Sequence, residues 1–245
     1  MAVSMNGVLG ELGELDLLAA SLREQAQGVV TELGRITATA RVDAEPAVAA
    51  LCRLLRAVEN ARYSLQSVAV NRRNVEFTSF FDGLLGASCI LCGAAGFTLQ
   101  TRLPDAPVRA SADPAALRVA ALNLIANACR HAGREKLRAE LSARDGEIRF
   151  TVADDGDGIA PGVERLLDGE QDPKGRGLKA VERIAAAHGG HFRLIAGRGT
   201  AAVLTLPLAT DRLAPPYEAP RAEDYLCDRY SGAYIGLSDL RRSRV

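Results

Sequence analysis

Two stretches with apolar residues at every third or fourth position open the chain. Leu15, Leu18, Leu22, Val29, Leu33 and Ile36 keep that spacing in the first, and Leu51, Leu54, Val58, Ala61, Leu65 and Val68 in the second. Two amphipathic helices over about residues 10–72 are therefore expected. The intervening RVDAEP is a short breaker, with Asp43 placed to cap the second helix and Pro46 to sit in its first turn. The pair should fold back as an antiparallel hairpin (residues 1–72 as a unit) whose apolar stripe needs cover. Pairing with a second copy into a four-helix bundle is the expected solution, and packing on the downstream domain is the other.

From residue 73 to 208 the rhythm changes. Val75–Thr78, Phe97–Leu103 and the short Pro107–Ala110 read as strands, and FFDGLLGASCILCGAAG as a buried helix. Pro114 opens a long helix to His131, and LRAELSARDGEIRFTVAD makes two strands around an Asp145-Gly146 turn. Ala180–His188 is a further helix, and a last strand pair closes around Gly197–Gly199. Strands and helices alternate without a regular βαβ beat, so the fold class is α+β, a mixed sheet with helices on one face behind a helical hairpin. Residues 209–245 lose periodicity and hold four of the five tyrosines, Tyr217, Tyr225, Tyr230 and Tyr234. A flexible tail is expected there, its tyrosines able to dock on the body or a partner.

Composition narrows the function without naming it. Thirty Lys plus Arg balance thirty Asp plus Glu in 245 residues, so no overall field favours nucleic acid or an anionic membrane surface. The chain shows no run of eighteen apolar residues and no signal-like N-terminus, which leads to the expectation of a cytoplasmic protein without a membrane span. Five cysteines scattered through apolar stretches suit reduced thiols, and Cys89-x-x-Cys92 lacks the second pair that a zinc site needs.

Three clusters carry chemistry. On the long helix Asn123, Asn127 and His131 fall at i, i+4 and i+8 on one face. Asparagine is a poor helix former, so two of them stacked in a helix interior need another reason. A neutral amide carbonyl suits magnesium where phosphates already bring the negative charge, and Arg130 next door can meet a phosphate; a merely solvated face is the alternative. Next, Asp154-Asp155-Gly156-Asp157-Gly158 leaves a strand that is apolar to its end. A carboxylate held there can accept a hydrogen bond from an amino group while the glycine backbone passes under a flat ring. A calcium loop would need a glutamate twelve positions in and flanking helices, which are missing. Third, Lys174-Gly175-Arg176-Gly177-Leu178 opens a helix, where free N–H groups and the helix dipole attract an anion. The residues before it, GEQDPK, are no buried strand, which excludes a dinucleotide fold, and a Walker A lysine motif is missing.

Taken together, the three clusters resemble those of the ATP-binding domain shared by sensor histidine kinases, gyrase and mismatch-repair ATPases, the Bergerat fold. LNLIANACRHAG looks like the N box, VADDGDGIAPG the first glycine box, and GRGLKAVERIAAAHGG with the strands after it the second. The resemblance covers about residues 73–208 by motif and the hairpin by arrangement. It implies ATP and Mg²⁺ as ligands, with Asn127 holding the metal, Asn123 its companion and Asp154 reading adenine. Gly156, Gly158, Gly175, Gly177, Leu178 and Thr200 would line the nucleotide, with Arg130, His131, Lys174 and Arg176 toward the phosphates. His188 and His191 belong to a turn and are assigned no catalytic part.

The chain departs from that family where the family's kinases receive the phosphoryl group. No histidine precedes His131; with the family's acceptor pattern laid on the first helix, Arg23 stands at the acceptor position beside Glu24, 127 − 23 = 104 residues ahead of Asn127. Arginine stays protonated and cannot attack phosphorus. The segment 161–174, expected as a lid, is short and without phenylalanine, and fewer groups closing over the phosphates imply weak nucleotide affinity. Three readings follow: a histidine-kinase-family phosphotransferase in a two-component phosphorelay, acting on a protein acceptor; a silent scaffold that grips response regulators or a partner kinase; and an anti-sigma-factor-type serine kinase. A homodimer through the hairpin is expected, and nucleic acid is not an expected partner.

Overall fold

A computed structural model describes residues 45–64, 69–133, 136–156, 158, 176–197, 199–210, 215–228 and 230–240. The first hairpin helix with Arg23 and Glu24, the cap Asp43, the lid segment, Lys174 and Gly175 all lie outside the described residues.

Helix α1 (Glu45–Ser64) is the second hairpin helix. Strand β1 (Arg73–Glu76) follows, then α2 (Phe77–Ala94), which starts earlier than its apolar run suggests. The cause is Glu76, whose carboxylate accepts from the backbone N–H groups of Thr78 and Ser79 at 2.9 and 3.0 Å and so ends the strand by capping the helix. By length and composition α2 would reach across a bilayer, and half of it is buried inside this fold. Phe77, Phe80, Phe81, Leu84 and Leu85 fill the core.

Strands β2 (Thr98–Arg102) and β3 (Arg109–Ala112) lead to α3 (Pro114–His131), followed by β4 (Lys136–Arg144), β5 (Glu147–Asp154), α4 (Arg176–Ala187), β6 (His191–Gly197) and β7 (Gly199–Pro207). The main sheet runs β2-β4-β5-β7-β6, with β2 and β4 parallel and the other pairs antiparallel; β1 pairs with β3 apart from it. Asp145 and Gly146 take φ of 56° and 78° in the β4–β5 turn, the mirror-image geometry that matches strand twist. Register puts Leu141 opposite Phe150 and Phe150 opposite Leu204, all buried. A slip by one residue would expose the whole row, which is why the alternation specifies the pairing. Helices α2, α3 and α4 cover this apolar face, with the Phe81 and Phe150 rings 4.4 Å apart between helix and sheet.

Asp113 and His188 tie the helices to the chain entering from the hairpin. Asp113 caps α3, and its other carboxylate oxygen takes the Asn71 N–H. The Asp113 N–H donates to His188 Nε2 at 2.9 Å, which leaves the ring proton on Nδ1, 2.7 Å from the Ile184 carbonyl. Both ring nitrogens thus serve backbone groups, a structural duty. Burial, with nearby Arg72 adding to it, lowers the His188 pKa, while the Ile184 carbonyl and Asp113 oppose the shift. The unfolded chain therefore binds the proton more readily than the fold. Stability is expected to fall as pH drops below about 6.5, by at most about 1.4 kcal/mol per pH unit. Urea denaturation at pH 7.5 and 5.5 checks this, and His188→Gln should flatten the loss; an equal loss in both proteins would assign it elsewhere.

Of the segment expected to trail as a flexible tail, residues 215–228 and 230–240 lie along the body as a strap. Asn74 exchanges backbone hydrogen bonds with the strap, donating to the Pro215 carbonyl and accepting from the Tyr217 N–H. The Pro220 carbonyl approaches α2 so closely that a Cβ on Gly83 would fall 2.1 Å from it. Two short helices follow, α5 (Ala222–Cys227) and α6 (Gly232–Gly236), then a 3-10 turn over Ser238–Leu240. Tyr225, Ala233, Leu237 and Leu240 join the main core, and Ile235 packs on Cys52 and Leu55 of α1. Elements of five or six residues show no readable period, and single anchors such as Tyr225 hold them.

Candidate nucleotide site

Helix α3 carries the asparagine face. Pro114 at its start has no N–H to waste, and Asp113 Oδ1 accepts from Ala115 and Ala116. Arg130 and His131 stand exposed in the last turn, where positive charge suits the helix dipole. Asn127 is half-buried one turn before His131, while Asn123 is 4% exposed.

Asp154 ends β5, paired through its neighbours with β4 and β7. Its Oδ1 accepts from the Gly156 N–H at 3.0 Å and from the Thr200 N–H at 3.3 Å, so two strands' ends aim one half-buried carboxylate. The end of α3 presses on the next residues: a Cβ on Gly156 would lie 2.0 Å from the His131 carbonyl oxygen. Gly199, at φ +93°, is as tightly held, its added Cβ falling 2.0 Å from the Asp154 carbonyl oxygen. Asp154, Gly156 and Thr200 therefore meet the His131 end of the asparagine helix in one place. Gly158 follows at φ +81°.

Gly177 of the second glycine cluster approaches the same helix. Arg176 opens α4 and is exposed, Leu178 is half-buried, and a Cβ on Gly177 would lie 3.0 Å from Asn123 Oδ1. Among the described candidates, Gly156 thus borders α3 at His131 and Gly177 at Asn123, and Thr200 joins Gly156 through Asp154.

Asn123 itself is engaged elsewhere. It donates from Nδ2 to Asn60 Oδ1 at 2.6 Å and accepts at Oδ1 from Asn60 Nδ2 at 3.2 Å and Arg56 Nη2 at 3.3 Å. Arg56, Glu59 and Asn60 of α1 are all buried, and Glu59 pairs with Arg118 of α3 at 3.5 Å. Sequence reasoning missed these α1 residues. Spaced at i, i+3 and i+4 opposite the apolar stripe, they read as a solvated face, and the pattern holds no signal that another helix lies over them.

Residues 112–210, which contain Asn123, Asn127, Asp154, Gly177 and Thr200, match the family of histidine kinase-, DNA gyrase B- and HSP90-like ATPases. Over these residues the chain is similar to that family. The relatives it brings with it are sensor histidine kinases. MtrB of Mycobacterium tuberculosis is 29% identical over 164 residues, covering 62% of this chain and 29% of that protein. MtrB of Mycobacterium leprae is 28% identical over the same length. The chain thus spans only 29% of the length of these curated relatives. Among solved structures, full-length ShkA in complex with AMPPNP superposes with a TM-score of 0.59 at 22% identity, over 81% of this chain and 46% of that one. The catalytic domain of the histidine kinase ThkA gives 0.51 at 17% identity, over 57% and 99%. These likenesses show that the chain shares the mixed-sheet fold of those structures.

Proposed function

We propose that the chain is a histidine-kinase-like signalling protein that binds Mg-ATP on this domain and transfers or gates its γ-phosphoryl group toward an acceptor in another protein. The observation that carries the reading is the meeting of Asp154, held by the Gly156 and Thr200 amides, with the end of the Asn127 helix. A carboxylate fixed by two backbone N–H groups keeps its second oxygen for a ligand amino group, while the Asn127 amide one turn before His131 suits a magnesium ion carried by phosphates. Arg130 and Arg176 add positive charge at the phosphate end beside His131, and Leu178 and Gly158 line the path between.

The lack of a histidine before His131 favours an acceptor outside this chain, and it supports the scaffold reading equally if no transfer occurs. A response regulator or a partner kinase is the corresponding partner. Leu54 of α1 is 57% exposed, and Val58 and Ala61 are only half-buried, which supports a homodimer through the hairpin. Cys52, Cys89, Cys92, Cys129 and Cys227 form no disulfides, which suits a reducing, cytoplasmic setting.

Mg-ATP at one hundred times its dissociation constant should stabilise the fold by about 2.7 kcal/mol and raise the melting temperature by roughly 5–10 °C. Asn127→Ala should remove the magnesium dependence and Asp154→Ala the whole shift. In the same series, Arg23→His tests what was lost: acid-labile labelling by γ-labelled ATP in that variant alone means that only the acceptor is missing. A wild-type protein whose melting is indifferent to Mg-ATP would end the nucleotide reading.

A further inference from the structure

We propose that Arg56 and Asn60 form a latch that competes with the nucleotide for Asn123, so that the position of helix α1 sets the affinity of the site. The inference rests on the reading of the α3 face as a Mg-nucleotide site. Asn123 lies one turn from Asn127 on that face, yet three hydrogen bonds from α1 occupy its amide and leave it 4% exposed. While α1 stays in place, no ligand reaches it. For Asn123 to turn toward a nucleotide, the Asn60 amide must let go at both ends.

The composition of the contact suits release. The face that α1 turns to the body holds Arg56, Glu59 and Asn60, each less than a tenth exposed, beside Cys52, Leu55 and Tyr63. A permanent helix contact gains most from apolar side chains, because water replaces a broken hydrogen bond at little net cost and does not replace a lost apolar contact. Buried amides and charges are satisfied only in one register, so they define the latched position without making it deep.

Three elements feel the latch at once. Helix α1 packs chiefly along α4, whose first turn approaches Asn123 at Gly177. Glu59 reaches Arg118 one and a half turns back along α3, and Ile235 of the C-terminal strap closes over Cys52 and Leu55. Movement of α1 therefore displaces the partners of Asn123 and loosens the start of α4 together. Linkage requires the converse: a ligand that recruits Asn123 must loosen α1.

The test uses the full chain and the magnesium complex of AMPPNP as probe. Titration calorimetry on wild type, Asn60→Ala and Arg56→Met should show both variants binding about five- to tenfold more tightly than wild type. Hydrogen exchange in the wild type should quicken over residues 52–64 when the probe is added. Equal or weaker affinity in both variants, with the wild type binding, would overturn the latch and leave the site reading standing. Absence of binding in all three proteins would overturn the site reading and the latch with it. Exchange that slows over residues 52–64 on binding would overturn the competition and make α1 part of the bound state. The two substitutions remove different partners of Asn123, so a folding defect in one leaves the other decisive.

Discussion

Gly199→Ala is expected to cost about 3–5 kcal/mol, from left-handed strain and from overpacking against backbone. Its added Cβ would stand 2.0 Å from the Asp154 carbonyl oxygen, 2.8 Å from the carbonyl carbon and 2.9 Å from the Asp155 Cα. None of these atoms can swing aside as a side-chain tip would, so β7 must part from the end of β5. The Thr200 N–H, next in line, then leaves Asp154 Oδ1, and the variant should lose nucleotide binding even where it remains folded. Gly93 supplies the control. It is exposed in the last turn of α2 with nothing within 4 Å of its added Cβ, so Gly93→Ala should stabilise by up to about 1 kcal/mol through helix propensity. Urea midpoints compare the two, and a Gly199→Ala protein as stable as wild type would mean that the strand ends are not joined this way.

Asp113→Ala should lower stability by about 2–4 kcal/mol, the sum of a lost N-cap and of a linker amide left without its acceptor. The carboxylate is 7% exposed and receives three backbone N–H groups, from Ala115, Ala116 and Asn71 at 2.9, 3.1 and 2.9 Å. Two of these belong to the first turn of the asparagine helix; the third belongs to the chain arriving from α1. Asp113→Asn keeps one oxygen for the cap but can offer an N–H to Asn71 where an acceptor is needed, so it should fall between the two. Hydrogen exchange at Asn71 should accelerate strongly in the alanine variant. If alanine costs less than about 0.5 kcal/mol, a typical surface substitution, the anchoring role is wrong.

Much of the site was legible because its chemistry is local. Asn123 and Asn127 are one helical turn apart by sequence spacing alone, and Asp154 stands where an alternating strand runs out into glycines. The roles of Gly156 and Gly199 were less so. A glycine signals freedom at its own position, whereas the reason for these two is another strand's carbonyl or another helix's end lying 2.0 Å from the missing Cβ, which no local pattern encodes. Glu76 misled for a similar reason: its side chain turns back on Thr78 and Ser79 and moves the start of α2 to Phe77.

Period and turn chemistry along the chain by themselves determined the second hairpin helix, the strand alternation of β4 and β5, the Asp145-Gly146 turn and the three polar clusters, because each depends on neighbours within a few residues. Only the tertiary structure decided which groups the polar face of α1 meets, that Asn60 holds Asn123 across 63 residues of chain, and that Tyr225 and Ile235 bring the C-terminal segment onto the body. Those contacts join segments far apart in sequence. Their free energy comes from desolvation and hydrogen bonding that exist only once the layers have packed.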